Sequence, residues 1–519
     1  MRSTFHGLET ARRSLFTQQA ALQTTGHNVA NANTAGYSRQ TVNMVATRPI
    51  EAIGLTHSTI PGQLGTGVEF NSITRIRESF LDNQFRNESQ NNGNWSVRLD
   101  TLQKLETIVN EPSDSGLRSI LDKFWSSWHD LSESPEDLTA RKLVRETANA
   151  LTDAFNQTSR QLEELRADLS ENIEVKASQM NTAVQTIAEL TNQIRRIEGF
   201  GDNANDLRDQ RDVLVDELSK MANITVRETS DGYQVSLGSQ VLVENGEANP
   251  VTADGLTGSF GGDLTGGEIY GMIMSRDQYV TDYQAQLNTM VNGLVNGDIE
   301  ITIPAGSVLP EGTVLNGITY NGNNRTLAAD LTVTVKGLNG LHQLGYTAQD
   351  PLKAGGAFFV SKDGGPLTAG NIQISSDISA DASNIASSMR TVTSGGTESV
   401  VKGNKDLAML ISQFNDTKIN FGTVNAGALT GKGTVNDFFR SIVGQLGITT
   451  QEAQRQSDNS KIVVDQVDSR RQSVSGVSLD EEMANMIKFQ HAYNAAARFM
   501  TTIDETLDKI INSMGTVGR

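Results

Sequence analysis

From Glu136 to Glu198 the chain contains neither Gly nor Pro. Through this stretch Leu151, Phe155, Leu162, Leu165, Leu169, Ile173, Met180, Val184, Ile187, Ile194 and Ile197 hold steps of three and four. That period predicts a helix with one apolar face. Unbroken, it would approach 90 Å at about 1.5 Å per residue, with a break near Ser170–Asn172 as the alternative. A periodic run of this length implies coiled-coil-like packing rather than a small globular core. Its start reads as Ser134 at the N-cap, Pro135 at the first helical position and two acids in the first turn.

The two ends of the chain carry thinner stripes. Phe5, Leu8, Ala11, Leu15, Leu22 and Val29 recur at helical spacing but are interrupted by Gln18, Gln19 and Gly26. Phe489, Ala492, Ala496, Phe499, Ile503, Leu507, Ile510 and Met514 form a second stripe after Ser478-Leu479-Asp480-Glu481, which reads as a capping box. Isolated helices with so little apolar surface are marginal in water and must pack against something. The stripes read as one helix pair, parallel or antiparallel, or as two helices docked separately.

Elsewhere, Thr41–Val45 and Gly65–Phe70 look extended, and helical periodicity starts near Arg75–Asp82 and resumes from Trp95 to Val109. Another helix holds Leu117, Ile120, Leu121, Phe124, Trp125 and Trp128, with Trp125 and Trp128 on one face and expected in the core. Residues 224–251 alternate like strands, with Asp231-Gly232 and Asn245-Gly246 as hairpin turns. A helix is expected from about Tyr270 to Val295. Strand patterns at 299–303, 331–335, 358–360 and 372–374 mark the clearest shift in composition, and four of the nine prolines lie between Pro304 and Pro366. Ser375–Lys405 reads as loop.

The expected fold is mainly α with β insertions (α+β), elongated and multidomain. Terminal helices pair as a coiled-coil-like domain, followed by a long-helix body and an inserted β domain. The boundaries drawn are 1–45 for the N-terminal helix and 46–94 for an extended β segment and helix. The helical body is 95–297, with β-hairpins at 224–262. The inserted β domain and loop are 298–400, the return helices 401–475 and the C-terminal helix 476–519.

Chemistry is hard to place. The six histidines are scattered, and none has a second at helical spacing. Gly427–Thr434 fails as a P-loop, because it is one residue short and Gly433 stands where Ser or Thr must reach Mg²⁺. The acids from Asp202 to Asp212 lack the spacing of a calcium loop and read as first-turn acids. No catalytic, cofactor or metal constellation is visible. The formal charge of −18 argues against nucleic acid and anionic membrane as partners. The absence of Cys removes disulfide and thiolate chemistry. Arg12 and Arg13 interrupt the first stripe, so no signal peptide or membrane span is expected; by general secretion rules the chain would be cytoplasmic.

Asn31, Asn33, Thr34, Gly36, Tyr37, Ser38, Arg39 and Gln40, within Ala30–Gln40, resemble the N-terminal signature of bacterial flagellar axial proteins (rod, hook and hook-associated). The loop at Asn110–Leu117, the helix opening at Asn205–Asp212 and the C-terminal helix from Leu479 to Met514 resemble the same family. The ending Tyr37–Gln40 is most similar to members that join hook to filament. The resemblance covers the first ~120 residues, Ser134–Asp212 and the last ~45, and fades in the β insertion. It implies a structural, non-enzymatic part of the flagellum, exported by the flagellar type III route without a cleavable signal and assembled as a tube or ring layer. It implies as partners other copies of the chain in an axial oligomer, the hook protein and the second hook-associated junction protein (hook-associated protein 3). An export chaperone at the C-terminal helix is implied too, with no nucleic acid and no membrane insertion. The assembly interface is expected at Phe5, Leu8, Leu15, Leu22, Val29, Phe489, Phe499, Ile503, Leu507 and Ile510. The alternatives are another rod or hook protein, or a secreted surface binding protein or hydrolase using the β insertion.

Overall fold

A computed structural model of the chain describes residues 5–49, 65–109, 116–229, 232–258, 262–421 and 431–513. The expectations for His57, Asp231, Gly427–Thr430, Met514 and most of the Asn110–Leu117 loop fall outside them. The main helices are α1 (His6–Ala30), α2 (Ser79–Val109), α3 (Leu117–Glu133), α4 (Leu138–Glu198), α5 (Asn205–Met221), α6 (Thr281–Asn296), α7 (Val435–Ser475) and α8 (Leu479–Asp508). The chain divides into two compact units. One comprises Met1–Asn94, Glu174–Tyr270 and Asp458–Arg519, and the other Trp95–Ile173 and Gly271–Ser457.

The long helix is unbroken: α4 runs for 61 residues. Ser170, a suspected break, keeps its hydroxyl inside the helix by donating to Arg166 O at 3.1 Å. Its start differs from expectation. Ser134 closes α3 with φ −134° and ψ 68°, because a residue before Pro is pushed out of the helical region. The first free N–H groups of α4 are instead met by Asp137, whose carboxylate accepts from Thr139 N at 2.8 Å. Of the apolar positions named from its sequence, all are buried except Ile197.

α2 is also one helix, where the sequence suggested two. Gly93 lies inside it, and a Cβ there would stand 2.5 Å from the backbone oxygen of Lys220. The glycine therefore serves close approach to α5. Gly93→Ala is expected to destabilise the protein by about 1–2 kcal/mol, the overpacking cost outweighing the ~1 kcal/mol gain in helix propensity. A lowered urea midpoint checks it; a raised one would reverse the argument.

In the first unit, α1 lies against α8 and also against the antiparallel pair β1 (Gln40–Ala46) and β2 (Val68–Arg75), joined from Gln40↔Arg75 to Ala46↔Val68. A four-stranded sheet runs in the order β3 (Ile224–Thr229), β4 (Gly232–Leu237), β5 (Gln240–Glu244), β6 (Glu247–Ala248). Asn245 and Gly246 take φ 51° and 89°, the positive values the hairpin turn requires.

The second unit has one core. On α3, Leu117, Leu121, Phe124, Trp125, Trp128 and Leu131 are all buried, as their three-and-four spacing requires. Trp128 meets Phe358 at 5.5 Å and Phe124 meets Phe359 at 6.0 Å between ring centres. Residues 298–400 therefore do not stand apart as a β domain. Their ribbons (Asp298–Ile303 with Leu331–Lys336, Thr313–Leu315 with Ile318–Tyr320, Phe359–Ser361 with Ile372–Ile374) are two-stranded, too small to enclose a core alone. Ser375–Lys405 is not mere loop either: it holds a helical turn at Ser376–Ala380 and a hairpin of Thr391–Ser394 with Thr397–Val400. The expected helix from Tyr270 contains a π-helical segment, Ser275–Val280, just before α6.

His342 is fully buried in this unit. Nδ1 donates to Gly356 O at 2.7 Å, and Nε2 accepts from Ala386 N at 2.8 Å, an arrangement only the neutral ring satisfies. Burial, aided by the charge of Arg141 and opposed by the Gly356 carbonyl, pushes its pKa down to about 4. An unfolded His titrates near 6.5. As pH falls below about 6.5 the unfolded chain takes up a proton that the folded chain refuses until about 4. The stabilisation is thus complete above 6.5 and falls by about 3 kcal/mol on the way down to 4. Unfolding free energy between pH 7 and 4.5 is expected to drop steeply in the wild type and to flatten in His342→Gln. Parallel slopes would remove His342 as the cause.

Candidate functional site

The expected assembly residues are only partly covered. Leu8, Leu15, Leu22, Val29, Phe489, Ile503 and Leu507 are half-buried. Phe5, Phe499 and Ile510 remain 59%, 48% and 49% exposed. The fully buried residues of α1 are others: Ala11, Thr17, Ala21, Thr24, Thr25 and Asn28. Small side chains on that face let neighbouring backbones come near. At Gly7 a Cβ would stand 2.6 Å from Ile503 Cδ1, and Thr17 Oγ1 lies 3.3 Å from Val68 O of β2. The leucine stripe read from the sequence is thus the border of the covered face, not its centre. α8 shows further apolar side chains to solvent, with Met483 and Ile487 at 55% and 56% exposure.

The signature residues do come together, in a polar knot within the first unit. α1 ends at Asn31, whose backbone N–H bonds back to His27 O. Asn31 Oδ1 then accepts from Thr34 Oγ1 at 3.2 Å, and Asn33 is exposed. Gly36 takes φ 76°, and a Cβ there would fall 2.0 Å from Val213 Cγ2 on α5, so backbone shape and space both demand glycine. Tyr37 donates its hydroxyl to Asn28 Oδ1 at 2.8 Å. Asn28 in turn bonds Gln40 O and Glu482 Oε2 at 2.9 and 3.0 Å. Ser38 gives both its N–H and its hydroxyl to Asp209, each at 2.8 Å. Arg39 reaches Glu481 at 2.7 Å and Glu482 at 2.8 Å, and its N–H donates to Ser475 O at 2.8 Å. Gln40 Nε2 bonds Asp206 at 2.7 Å.

Glu481 therefore does not complete a capping box. Ser478 is the N-cap of α8, but its side chain makes no cap bond. A guanidinium opposite the carboxylate offers a stronger, charge-assisted partner than a lone N–H.

Behind the signature loop lies a charge cluster that sequence reasoning missed. Arg75 binds Asp209 and Asp212 at 2.8 and 2.7 Å. Arg77 binds Asp82 at 2.6 Å, and Arg86 binds Asp216 and Asp212 at 2.8 and 3.2 Å. Arg471 of α7 bonds Asp216 and, at 2.9 Å, Asp468. Burial pushes the Asp212 carboxyl up, but Arg77, Arg75 and Arg86 outweigh it and hold the group below the usual carboxylate range. Asp209, Asp212 and Asp216 are thus ligands for arginines of β2, α2 and α7, not simply first-turn acids. The available signal was the four-residue rhythm Asp212, Asp216 facing the Arg75-x-Arg77 pair.

The knot ties α1, β1, β2, α2, α5, α7 and α8 to one another. Its arginines and carboxylates pair across these elements. Among the described residues no group of three or more His, Asp or Glu is placed to hold a metal ion, and no helix is long and apolar enough to cross a membrane.

Known proteins with this organisation exist. Residues 102–297 match the family profile "Flagellar hook-associated protein FlgK helical domain". Residues 8–37 match "Flagella basal body rod protein", and 469–514 match "Flagellar basal body rod FlgEFG protein C-terminal". Flagellar hook-associated protein 1 of Bacillus subtilis is 35% identical over 548 aligned positions, covering 100% of each chain. The protein of that name from Escherichia coli is 26% identical, covering 97% of this chain and 99% of its own. The fold is shared with the flagellar hook junction protein FlgK from Burkholderia pseudomallei at TM-score 0.52 and 14% identity, covering 76% of this chain and 100% of that one.

Proposed function

Since the chain belongs to the flagellar hook-associated protein 1 family, we propose that it forms the joint between hook and filament, by assembly and without catalysis. The observation that carries this reading is the half-covered terminal pair. α1 and α8 bury small residues against each other and leave Phe5, Phe499, Met483, Ile487 and Ile510 in water. Apolar surface left on a helix pair is covered most simply by neighbouring copies, each buried large side chain contributing about 1.5–3 kcal/mol. Because the faces toward hook and filament meet different proteins, the contacts are heterologous, as in rings and open arrays.

The partners in this reading are further copies of the chain, the hook protein and hook-associated protein 3. The chain leaves the cell through the flagellar type III channel. A dedicated export chaperone holds the C-terminal stripe from Phe489 onward as a helix in a groove. Deleting the gene is expected to leave hooks without filaments and to release filament protein into the medium, with full recovery on complementation. Filaments of normal number on the deleted strain would end the reading. Removing residues 489–519 is expected to abolish copurification of the chaperone while the second unit keeps its melting temperature.

A further inference from the structure

In the second unit a hollow of 330 Å³ lies between α2, the π-helical segment Ser275–Val280, α6 and α7. Four of its lining residues form an apolar floor: Leu102 and Leu105 of α2, and Ile442 and Leu446 of α7, all buried. Tyr279 and Tyr283 add aromatic wall. The volume is at the lower end of the roughly 300–1,000 Å³ of small-molecule sites, which join an apolar lining to a few convergent polar groups.

Two polar groups converge here. Asp282 and Gln286 stand four residues apart on α6, so they share one face, and both line the hollow. Gln286 is only 5% exposed, yet among the described residues its side-chain amide has no hydrogen-bond partner. A buried amide left unpaired is costly, so an unpaired one that lines a hollow points to something that fills it. Asp282 is half-buried and is the only charged residue of the lining. Burial pushes its carboxyl above the usual carboxylate range, with no cation to oppose the shift. The π-helical segment immediately before this pair is a distortion that recurs at functional sites.

This lining selects its ligand. An anion is repelled by Asp282, and a neutral apolar molecule leaves the carboxylate without a counter-charge. An ammonium group carries three donors, enough for the Asp282 carboxylate, the Gln286 carbonyl and water. We propose that the hollow is a binding site for a small organic amine, its protonated nitrogen on Asp282 and Gln286 and its apolar body on the leucine and isoleucine floor. The site lies in the helical body, apart from the terminal helices, and stands independently of the assembly reading.

The test uses the full chain with hexylamine and phenethylamine as chlorides, against equal potassium chloride, and with hexanol and phenethyl alcohol as uncharged twins. A ligand that binds only the folded unit stabilises it by mass action. Both amines are expected to raise the melting temperature of the second unit saturably and to slow hydrogen exchange at 278–286 and 442–449. The alcohols are expected to bind roughly tenfold more weakly, for want of the charge-assisted bond. Asp282→Asn is expected to fold as the wild type does, having no partner to lose, and to bind the amines only as weakly as the alcohols. Gln286→Leu is expected to weaken the amines several-fold while raising the melting temperature of the unliganded chain, because it removes an unpaired buried amide. Amine and alcohol acting alike on the wild type overturn the site, and so does an Asp282→Asn variant that binds amine at full strength. Stabilisation without protection at the two segments overturns it too, since the amine then sits elsewhere on an acidic surface. No saturable shift with any probe leaves the hollow to water and ends the proposal.

Discussion

Asp212→Asn is expected to lower the melting temperature of the unit built around the signature loop by roughly 10 °C, the effect of about 3–5 kcal/mol lost from a buried ion cluster. Asp212 accepts from Arg75 at 2.7 Å and Arg86 at 3.2 Å, with Arg77 Nη1 3.5 Å away. An amide keeps the shape but removes the charge, and turns an NH₂ toward guanidinium donors. Asp209 and Asp216 are already engaged by Ser38, Arg75, Arg86 and Arg471, so no idle carboxylate can take over.

The sign of the pH dependence follows from the lowered pKa of Asp212. An unfolded Asp titrates near 3.9. Above that value the stabilisation is complete, and it is lost as pH falls through the lower folded value. Wild-type stability should therefore keep falling below about pH 4 in a way that Asp212→Asn does not share. A variant that melts with the wild type at pH 7 would mean that the cluster is solvated and dispensable.

How much of this was legible beforehand differs by level. Local periodicity was: α3, α4 and α8 stand where steps of three and four placed them, and the Asn245-Gly246 turn where its residues require it. What failed was long-range. Gly93 looked like an interruption because nothing local shows that Lys220 O will pass within reach of its missing Cβ. Residues 298–400 looked like a separate domain because composition cannot show that Phe358 and Phe359 pack onto Trp128 and Phe124, over two hundred positions earlier. The charge cluster was hidden for the same reason: Arg75, Asp212 and Arg471 lie far apart in the chain, and each alone reads as a solvated surface charge. The leucine stripe of α1 misled in a subtler way. Hydrophobicity marked the larger residues, while the tightest packing went to Ala21, Thr17 and, of the stripe itself, only Ala11, small side chains that permit closer backbones.

Ile487→Asp and Ala496→Asp separate the two sides of α8. Ala496 is 8% exposed and belongs to the covered face, whereas Ile487 is 56% exposed in the single chain. A carboxylate at position 496 must be buried without a partner, at several kcal/mol, so the first unit is expected to melt early and α8 to lose protection from hydrogen exchange. A carboxylate at position 487 enters water, and the isolated chain is expected to melt within about 1 °C of the wild type, surface changes usually staying within ±0.5 kcal/mol. In the assembled layer the cost returns in every copy. Apolar burial of about 1.5–3 kcal/mol is lost, and a charge is forced into an apolar seam. Ile487→Asp cells are therefore expected to export a well-folded chain, shed filament protein into the medium and fail to swim. If they swim normally, the exposed side of α8 faces water in the assembled layer as it does in the single chain, and the joint is held by other surfaces. If Ile487→Asp melts early, the exposed side already serves the fold of one chain, and the division between covered face and assembly face is misplaced.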